Sequence, residues 1–246
     1  MAADISQFID IHIHILPGMD DGAKNIDESI DMAKAYAELG ITRLIATPHF
    51  IPGTAWAAGR DQIAAKIEEL QEHLTIDAIN LKISPGMEIA YHKKLSDRLE
   101  KGLLQSLGTS NGYLLEPSFN DSYDDLLRCA KQIMTQGSVA ILAHPERIPS
   151  FQETPEPLLQ LVEEGLQVQL NIGSLLGRFG ESSKKMAMYL IKENSVHFLA
   201  SDAHSMKKRR PLSREDWKQL TELLGDDLLT KLCITNPSRL LKTALS

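Results

Sequence analysis

Hydrophobic and polar positions alternate sharply over residues 8–16. Ile9, Ile11, Ile13 and Ile15 fall on one face of an extended strand, and Asp10, His12 and His14 on the other. Residues 27–39 switch to a helical period, with Ile30, Ala33, Ala37 and the stem of Lys34 on one side and Gly40 as a C-cap. The exchange of periods then recurs. Strand patterns are read at 41–47, 81–84, 113–116, 138–143, 166–171 and 196–201. Helical patterns are read at 62–74, 123–136, 156–164 and 182–193, with further helices around 216–224, 228–233 and 237–244. These make seven β–α units, and regular alternation of this kind predicts a parallel sheet with helices outside it. No glycine-rich dinucleotide turn appears, which favours a closed or distorted barrel over a doubly wound sheet. No linker, repeat or shift in composition divides the chain, so residues 1–246 read as a single domain.

Composition narrows the function classes. Hydrophobic residues make up 43% and charged residues 24%, as in soluble globular proteins. A formal net charge of −7 disfavours nucleic acid as a partner. The exception is the run Lys207, Lys208, Arg209 and Arg210, which reads either as a solvated patch or as an attractor of acidic phosphopeptides. Two cysteines without a CxxC pair suit a reducing cytosol. The N-terminus reads as carrying no signal peptide, and no apolar run approaches the roughly 18 residues of a membrane span. A cytoplasmic protein without membrane insertion is the expectation.

The strand ends change the picture. In turn they deliver His12 and His14 with Asp20-Asp21-Gly22 following, then Thr47-Pro48-His49, Gly86-Met87-Glu88, Leu115-Glu116, Ala143-His144-Pro145-Glu146-Arg147, Asn171, and Ser201-Asp202-Ala203-His204. In a parallel barrel the C-terminal strand ends share one mouth. Five of the eight histidines and four carboxylates would converge there. Carboxylates gathered alone repel one another and do not stay ionised together. Cations remove that conflict, and imidazole and carboxylate suit Mn, Fe or Zn. The nine candidate ligands His12, His14, Asp21, His49, Glu88, Glu116, His144, Asp202 and His204 exceed the four of one tetrahedral site, so two or three divalent ions are expected. An HxH or a DxH alone is a weak signal; the strength lies in repetition at equivalent topological positions.

The ordered series I-D-I-H-I-H, D-D-G, T-P-H, G-M-E-I, L-E-P, A-H-P-E-R and S-D-A-H resembles the polymerase-and-histidinol-phosphatase (PHP) superfamily. Within it, the chain looks similar to the bacterial manganese-dependent protein-tyrosine phosphatases of capsule and exopolysaccharide operons. The likeness runs from Phe8 to about Arg239 and includes the terminal Asn236-Pro237-Ser238-Arg239. It implies a distorted (β/α)7, TIM-like barrel with a trinuclear site. His12, His14, Glu88 and Asp202 would hold one ion; Glu88, as a bridge, with Glu116 and His144 a second; Asp21, His49 and His204 a third. Arg147, with Arg209 or Arg210, would contact the phosphate. The implied reaction is hydrolysis of phosphotyrosine by in-line attack of metal-activated hydroxide, without a phosphoenzyme. His204 or Asp202 would protonate the leaving oxygen insofar as either is free of metal. The implied partner is a bacterial tyrosine autokinase with a Tyr-rich tail; oligomeric state is open. Ile148, where the family often has an aromatic residue, and Ala90-Tyr91, where its tyrosines are partly replaced, leave the exact substrate open.

Other readings compete. A different PHP phosphoesterase would act on histidinol phosphate or a nucleotide. An amidohydrolase also opens with HxH but bridges its metals through a modified lysine at strand 4, where Glu116 stands here. A non-catalytic metal-binding module would not need the complete ligand set. Cys233 to Arg239 has the C-x5-R spacing of cysteine phosphatases, yet it lacks glycine and Pro237 removes an amide. Asp10 could orient an imidazole or make a polar contact at the barrel bottom. Phe50 and Trp56 could receive an aromatic ring or simply pack the loop. His92 could approach the mouth from its place after Glu88, whereas His73 reads as a surface residue and His197 as structural.

Overall fold

A computed structural model of the chain describes residues 2–92, 94–117 and 123–242. Strands β1 (Asp10–Ile13), β2 (Arg43–Ala46), β3 (His49–Phe50), β4 (Lys82–Pro85), β5 (Glu88–Ala90), β6 (Gly112–Glu116), β7 (Val139–Ala143), β8 (Gln167–Asn171) and β9 (Phe198–Ala200) alternate with helices. These are α1 (Ile26–Ala37), α2 (Arg60–Ile76), α3 (Leu95–Glu100), α4 (Tyr123–Thr135), α5 (Pro149–Glu153), α6 (Glu156–Glu163), α7 (Ile172–Leu175), α8 (Glu181–Lys192), α9 (Arg214–Leu224), α10 (Asp226–Thr230) and α11 (Asn236–Leu240). A π-helical turn (Lys231–Thr235) joins α10 to α11. The helix expected over 237–244 ends at Leu240, and residues 243–244 lie outside those described. No helix among the described residues is long and apolar enough to cross a membrane.

Every strand pair is parallel. The strands form two sheets, one ordered β1-β2-β4 and the other β3-β5-β6-β7-β8-β9. The sequence pattern predicts single strands at 41–47 and 81–84; each is instead followed by a second segment that pairs in the other sheet. Pro48 has no amide to donate, and the Pro48 carbonyl accepts from Glu88 N at 3.0 Å where the second segments begin. The other break, at Gly86, brings backbones close: a Cβ there would stand 2.8 Å from Ile45 Cγ2 and 3.0 Å from the Ala46 carbonyl. A parallel bridge, Ile13 to Ala203, and the bonds His14 N to Ala203 O and Asp202 N to His12 O (both 2.9 Å) tie β1 to the segment after β9.

The isoleucines of 9–15 are fully buried, but so are Asp10 and His12, as expected for a parallel strand covered on both faces. On α1 the buried stripe is Ser29, Met32, Ala33 and Tyr36, one position round from the predicted face, with Ile30 and Ala37 at its margin and Lys34 exposed. The offset is decided by Tyr36. Its hydroxyl donates to Asp10 Oδ2 at 2.6 Å and lies 2.9 Å from Ser201 Oγ. Asp10 Oδ1 in turn accepts from the amides of His12 and Ser201. Among its described partners Asp10 holds no imidazole; it fastens α1, β1 and the end of β9 together, which settles the two readings of that residue in favour of a structural contact.

Tyr36→Phe should leave a buried Asp10 oxygen short of its donor. Thermal or denaturant unfolding is expected to show a loss of about 1–3 kcal/mol, and an unchanged midpoint would contradict the clamp.

Candidate metal centre

The C-terminal ends of the strands bring the nine candidate ligands into one cluster. His14, Asp21, His49 and His204 place ligand atoms within 4.8 Å of one another, as do His12, Glu88 and His144, then His12, His14 and Asp202, and finally His49, Glu88 and Glu116. The grouping is tighter and more shared than the three sets implied by the resemblance: His14 also joins the Asp21 group, His12 approaches His144, and His49 lies beside Glu88 and Glu116. Glu88 is the hub. Its Oε1 is 2.9 Å from His144 Nε2 and 3.3 Å from His12 Nε2, and its Oε2 is 3.2 Å from His14 Nε2 and 3.0 Å from His49 Nδ1. His12, His14, Glu88 and Asp202 are at most 1% exposed, while the Asp21 and Glu116 side chains are 39% and 18% exposed, so the cluster runs from a dry floor to a wet rim.

Local backbone makes this possible. His144 and Asp202 both adopt left-handed conformations (φ 35° and 53°), sparsely populated for non-glycine residues. His144 is the first residue past β7 and Asp202 the second past β9, and each turns its side chain into the cluster. Gly22 packs against His14 so closely that any Cβ would overlap the His14 carbonyl and Cβ.

The donor set fits divalent cations. His49 Nδ1, Glu88 Oε2, Asp202 Oδ1 and His204 Nε2 are buried and lack a hydrogen-bond partner, an expensive arrangement unless an ion takes up those lone pairs. The opposite ring nitrogens are held. His14 Nδ1 is 2.7 Å from Asp20 Oδ2, His12 Nδ1 is 2.9 Å from Gln169 Oε1, and His204 Nδ1 is 2.9 Å from the Asp202 carbonyl. Such contacts fix ring orientation and leave the other nitrogen for a ligand. Neither Asp20 nor Gln169 stands out in the sequence as a site residue. Asp20 adjoins Asp21 in the D-D-G motif, which is a usable signal; Gln169 has none, because its place on β8 opposite His12 depends on strand register.

Electrostatics follow from burial and crowding. Burial works against a charge on His14, but Asp20 and Glu88 outweigh it and push its pKa up to about 9. His49 is raised further, since Glu88, Asp21 and Glu116 surround it. Burial would lift Asp202, yet His12, His204 and His144 hold it well below the usual range. Burial and neighbouring His14 push His204 down to about 4, so it stands neutral.

The arginines separate. Arg147 Nη1 donates to Asp202 Oδ2 at 3.0 Å. Arg209 reaches both Asp202 Oδ2 (3.3 Å) and Asp21 Oδ2 (3.1 Å). Arg210 turns away, bidentate on Asp216 of α9 at 2.7 and 3.0 Å, so Arg209 is the member of the run that faces the cluster. Asn171 Nδ2 also donates to Asp202 Oδ2, at 2.7 Å. Trp56 stacks on His49 with ring centroids 5.5 Å apart at 14°, half-buried at the rim, whereas Phe50 is buried packing. His92 sits edge-on to Phe50, His73 lies on α2, and His197 accepts the Val168 amide. Cys233 is fully buried in the π-helical turn, and burial together with Asp10 pushes its thiol pKa well up, which disfavours a nucleophilic thiolate in the C-x5-R segment. Cys129 is likewise buried, and its pKa is pushed up to about 12.

The family model described as capsular polysaccharide synthesis, CpsB/CapC, matches residues 8–242. The tyrosine-protein phosphatase YwqE of Bacillus subtilis (strain 168) is 37% identical over 224 residues, covering 89% of this chain and 86% of its own. The tyrosine-protein phosphatase CpsB of Streptococcus agalactiae serotype III is 27% identical over 239 residues, covering 95% and 98%. A solved structure from work on YwqE of Bacillus subtilis and CpsB of Streptococcus pneumoniae, described as unique metal-dependent tyrosine phosphatases, superimposes with a TM-score of 0.88 at 34% identity, covering 97% of this chain and 96% of that one.

Two outcomes are expected. Asp20→Asn weakens the bond that orients His14 and should reduce divalent-ion affinity by about 10- to 100-fold, measured by calorimetry or metal content after dialysis. In the metal-free protein His14 is protonated below about pH 9, and an ion must displace that proton. Manganese affinity should therefore climb with pH between 6 and 8, by about tenfold per unit for each proton released. A flat affinity profile, or no buffer-dependent heat of proton release, would contradict this.

Proposed function

This chain belongs to the CpsB/CapC family of capsular polysaccharide synthesis, and on that premise we propose that it is a metal-dependent protein-tyrosine phosphatase. The observation that carries the reading is the convergence of five imidazoles and four carboxylates, with buried unpartnered donor atoms, beside two arginines. We read residues 1–246 as one domain of PHP type, a distorted (β/α)7 barrel in which the bridge between Ile13 and Ala203 supports closure. The metal ligands are His12, His14, Asp21, His49, Glu88, Glu116, His144, Asp202 and His204, holding two or three divalent ions, with manganese the first choice and iron or zinc the alternatives. The substrate is a phosphotyrosyl protein; the partner fitting a capsule operon is a tyrosine autokinase, met in the cytoplasm.

Divalent ions held in this cluster would supply water ionised near neutral pH and neutralise the phosphate oxygens. Arg147 and Arg209 stand where a phosphate bound to the cluster would meet them, and a guanidinium fork suits two phosphate oxygens at once. Arg210, committed to Asp216, takes no part. Trp56 flanks the rim on which an aryl group would lie. Direct transfer to water is favoured because both cysteines are buried with raised pKa values. Asp202 and His204, both with low pKa values, are poor proton donors and serve as ligands. A tyrosyl leaving group, with a pKa of about 10, tolerates weak assistance.

The test uses chelator-treated protein assayed on a phosphotyrosine peptide with and without Mn²⁺. Activity should return with the ion, survive Cys233→Ser and fall by at least about 100-fold in His144→Ala. Turnover only of histidinol phosphate or a nucleotide would keep the metal centre and replace the substrate. Metal-independent activity lost in Cys233→Ser would overturn the reading.

A further inference from the structure

Phe179 lies between α7 and α8, among none of the residues given a role above. The face of its ring carries the Arg147 guanidinium, with Cζ 4.4 Å from the ring centroid. The ring is seated by the backbone beneath it: a Cβ at buried Gly173, two residues past β8, would stand 2.7 Å from Phe179 Cε2. The next-door Arg178 pairs with Asp216, the same buried carboxylate that takes Arg210. The segment bearing Phe179 is thus tied on one side to α7 and on the other to α9, and Arg147 lies between the ring and Asp202.

A guanidinium is weakly hydrated on its faces and carries all its donors in its plane. Stacking a face on Phe179 leaves the in-plane N–H groups available, one of them to Asp202 and the rest to a ligand. It also restricts a side chain that would otherwise lose considerable rotamer entropy when it closes on a ligand. We propose that Phe179 is the positioning residue for Arg147, holding it ready for a phosphate oxygen and so setting affinity for the phosphoryl group. This rests on the reading of Arg147 as a phosphate ligand.

The test is binding of inorganic phosphate to the manganese-loaded protein by calorimetry, with KM and kcat on a phosphotyrosine peptide, for Phe179→Leu, Phe179→Tyr and Arg147→Ala. Phe179→Leu should weaken phosphate binding and raise KM together by about threefold to tenfold, with kcat changed less than about twofold. Phe179→Tyr keeps the aromatic face and should stay near the parent protein. Should the leucine variant fail to fold, fluorinated phenylalanines at 179 keep the shape and thin the π-cloud; phosphate affinity should fall stepwise with fluorine number. Unchanged affinity in Phe179→Leu or along the fluorine series, or equal impairment in the tyrosine and leucine variants, overturns the proposal. If Arg147→Ala weakens phosphate binding while Phe179→Leu does not, the fault lies with Phe179 alone. If Arg147→Ala leaves phosphate binding intact, the role of Arg147 falls and the proposal with it.

Discussion

Glu88 and Asp202 are carboxylates buried to within 1% of complete, in one mouth with two more at its rim. Taking such charges out of water costs several kcal/mol each unless positive charge arrives with them. Much else in the structure answers that demand. In the metal-free protein, protons on the surrounding imidazoles do it, which is why His14 and His49 are pulled up so far. Divalent ions would do it better, since they also satisfy the lone pairs that protons leave orphaned. The cluster is therefore a site where protons and metal ions compete for the same atoms.

Holding that competition in place requires departures from regular structure. The strand from Arg43 to Phe50 and the strand from Lys82 to Ala90 both change sheets partway, so that His49 and Glu88 sit in register with each other rather than with the segments before them. His144 and Asp202 accept left-handed backbone at the moment the chain leaves β7 and β9. Each such residue costs of order 1–3 kcal/mol. Around Asp202 the Asp10–Tyr36–Ser201 contact and the bonds from the first strand to residues 202–203 hold the backbone in place, and His144 is held by its amide bond to the Gln169 carbonyl at 2.8 Å.

How much of this was legible in the sequence depends on which interactions are local. Alternation over 8–16 and the repeated change of period were enough for a parallel α/β fold, and strand-end position was enough to assemble the nine ligand-type residues. Strand breaks at Pro48 and Gly86 were not legible, because pairing with two different sheets is decided by partners far along the chain. Helix α3 has six residues, too few to show a period in the sequence. The buried stripe of α1 lies one position round from its hydrophobic period, because Tyr36 is drawn in by Asp10, a polar contact that a hydrophobic period does not register. Arg209 and Arg210 could not be told apart in sequence; only the position of Asp216 on α9 separates them. Phe179 and Gln169 act through register and loop packing, and a single sequence holds no trace of either.

Asp202 concentrates the logic of the site. Its Oδ2 accepts from Asn171, Arg147 and Arg209, while its Oδ1 has no donor and lies 3.5 Å from both His12 Nε2 and His14 Nε2. Three donors on one oxygen fix the rotation of the carboxylate, so the other oxygen is left facing the imidazoles. The same bonds hold both arginines beside the cluster, where the proposed function would have a phosphate bind. Arg147 spends one N–H on Asp202, and Arg209 spends one on Asp202 and one on Asp21; on the proposed reading, the N–H groups that remain could meet a phosphate without breaking the contact that orients Asp202 Oδ1. A lysine at either position would bring donors from a single point of charge, without the planar fork that lets one guanidinium hold Asp202 and present a second pair of N–H groups in a fixed direction.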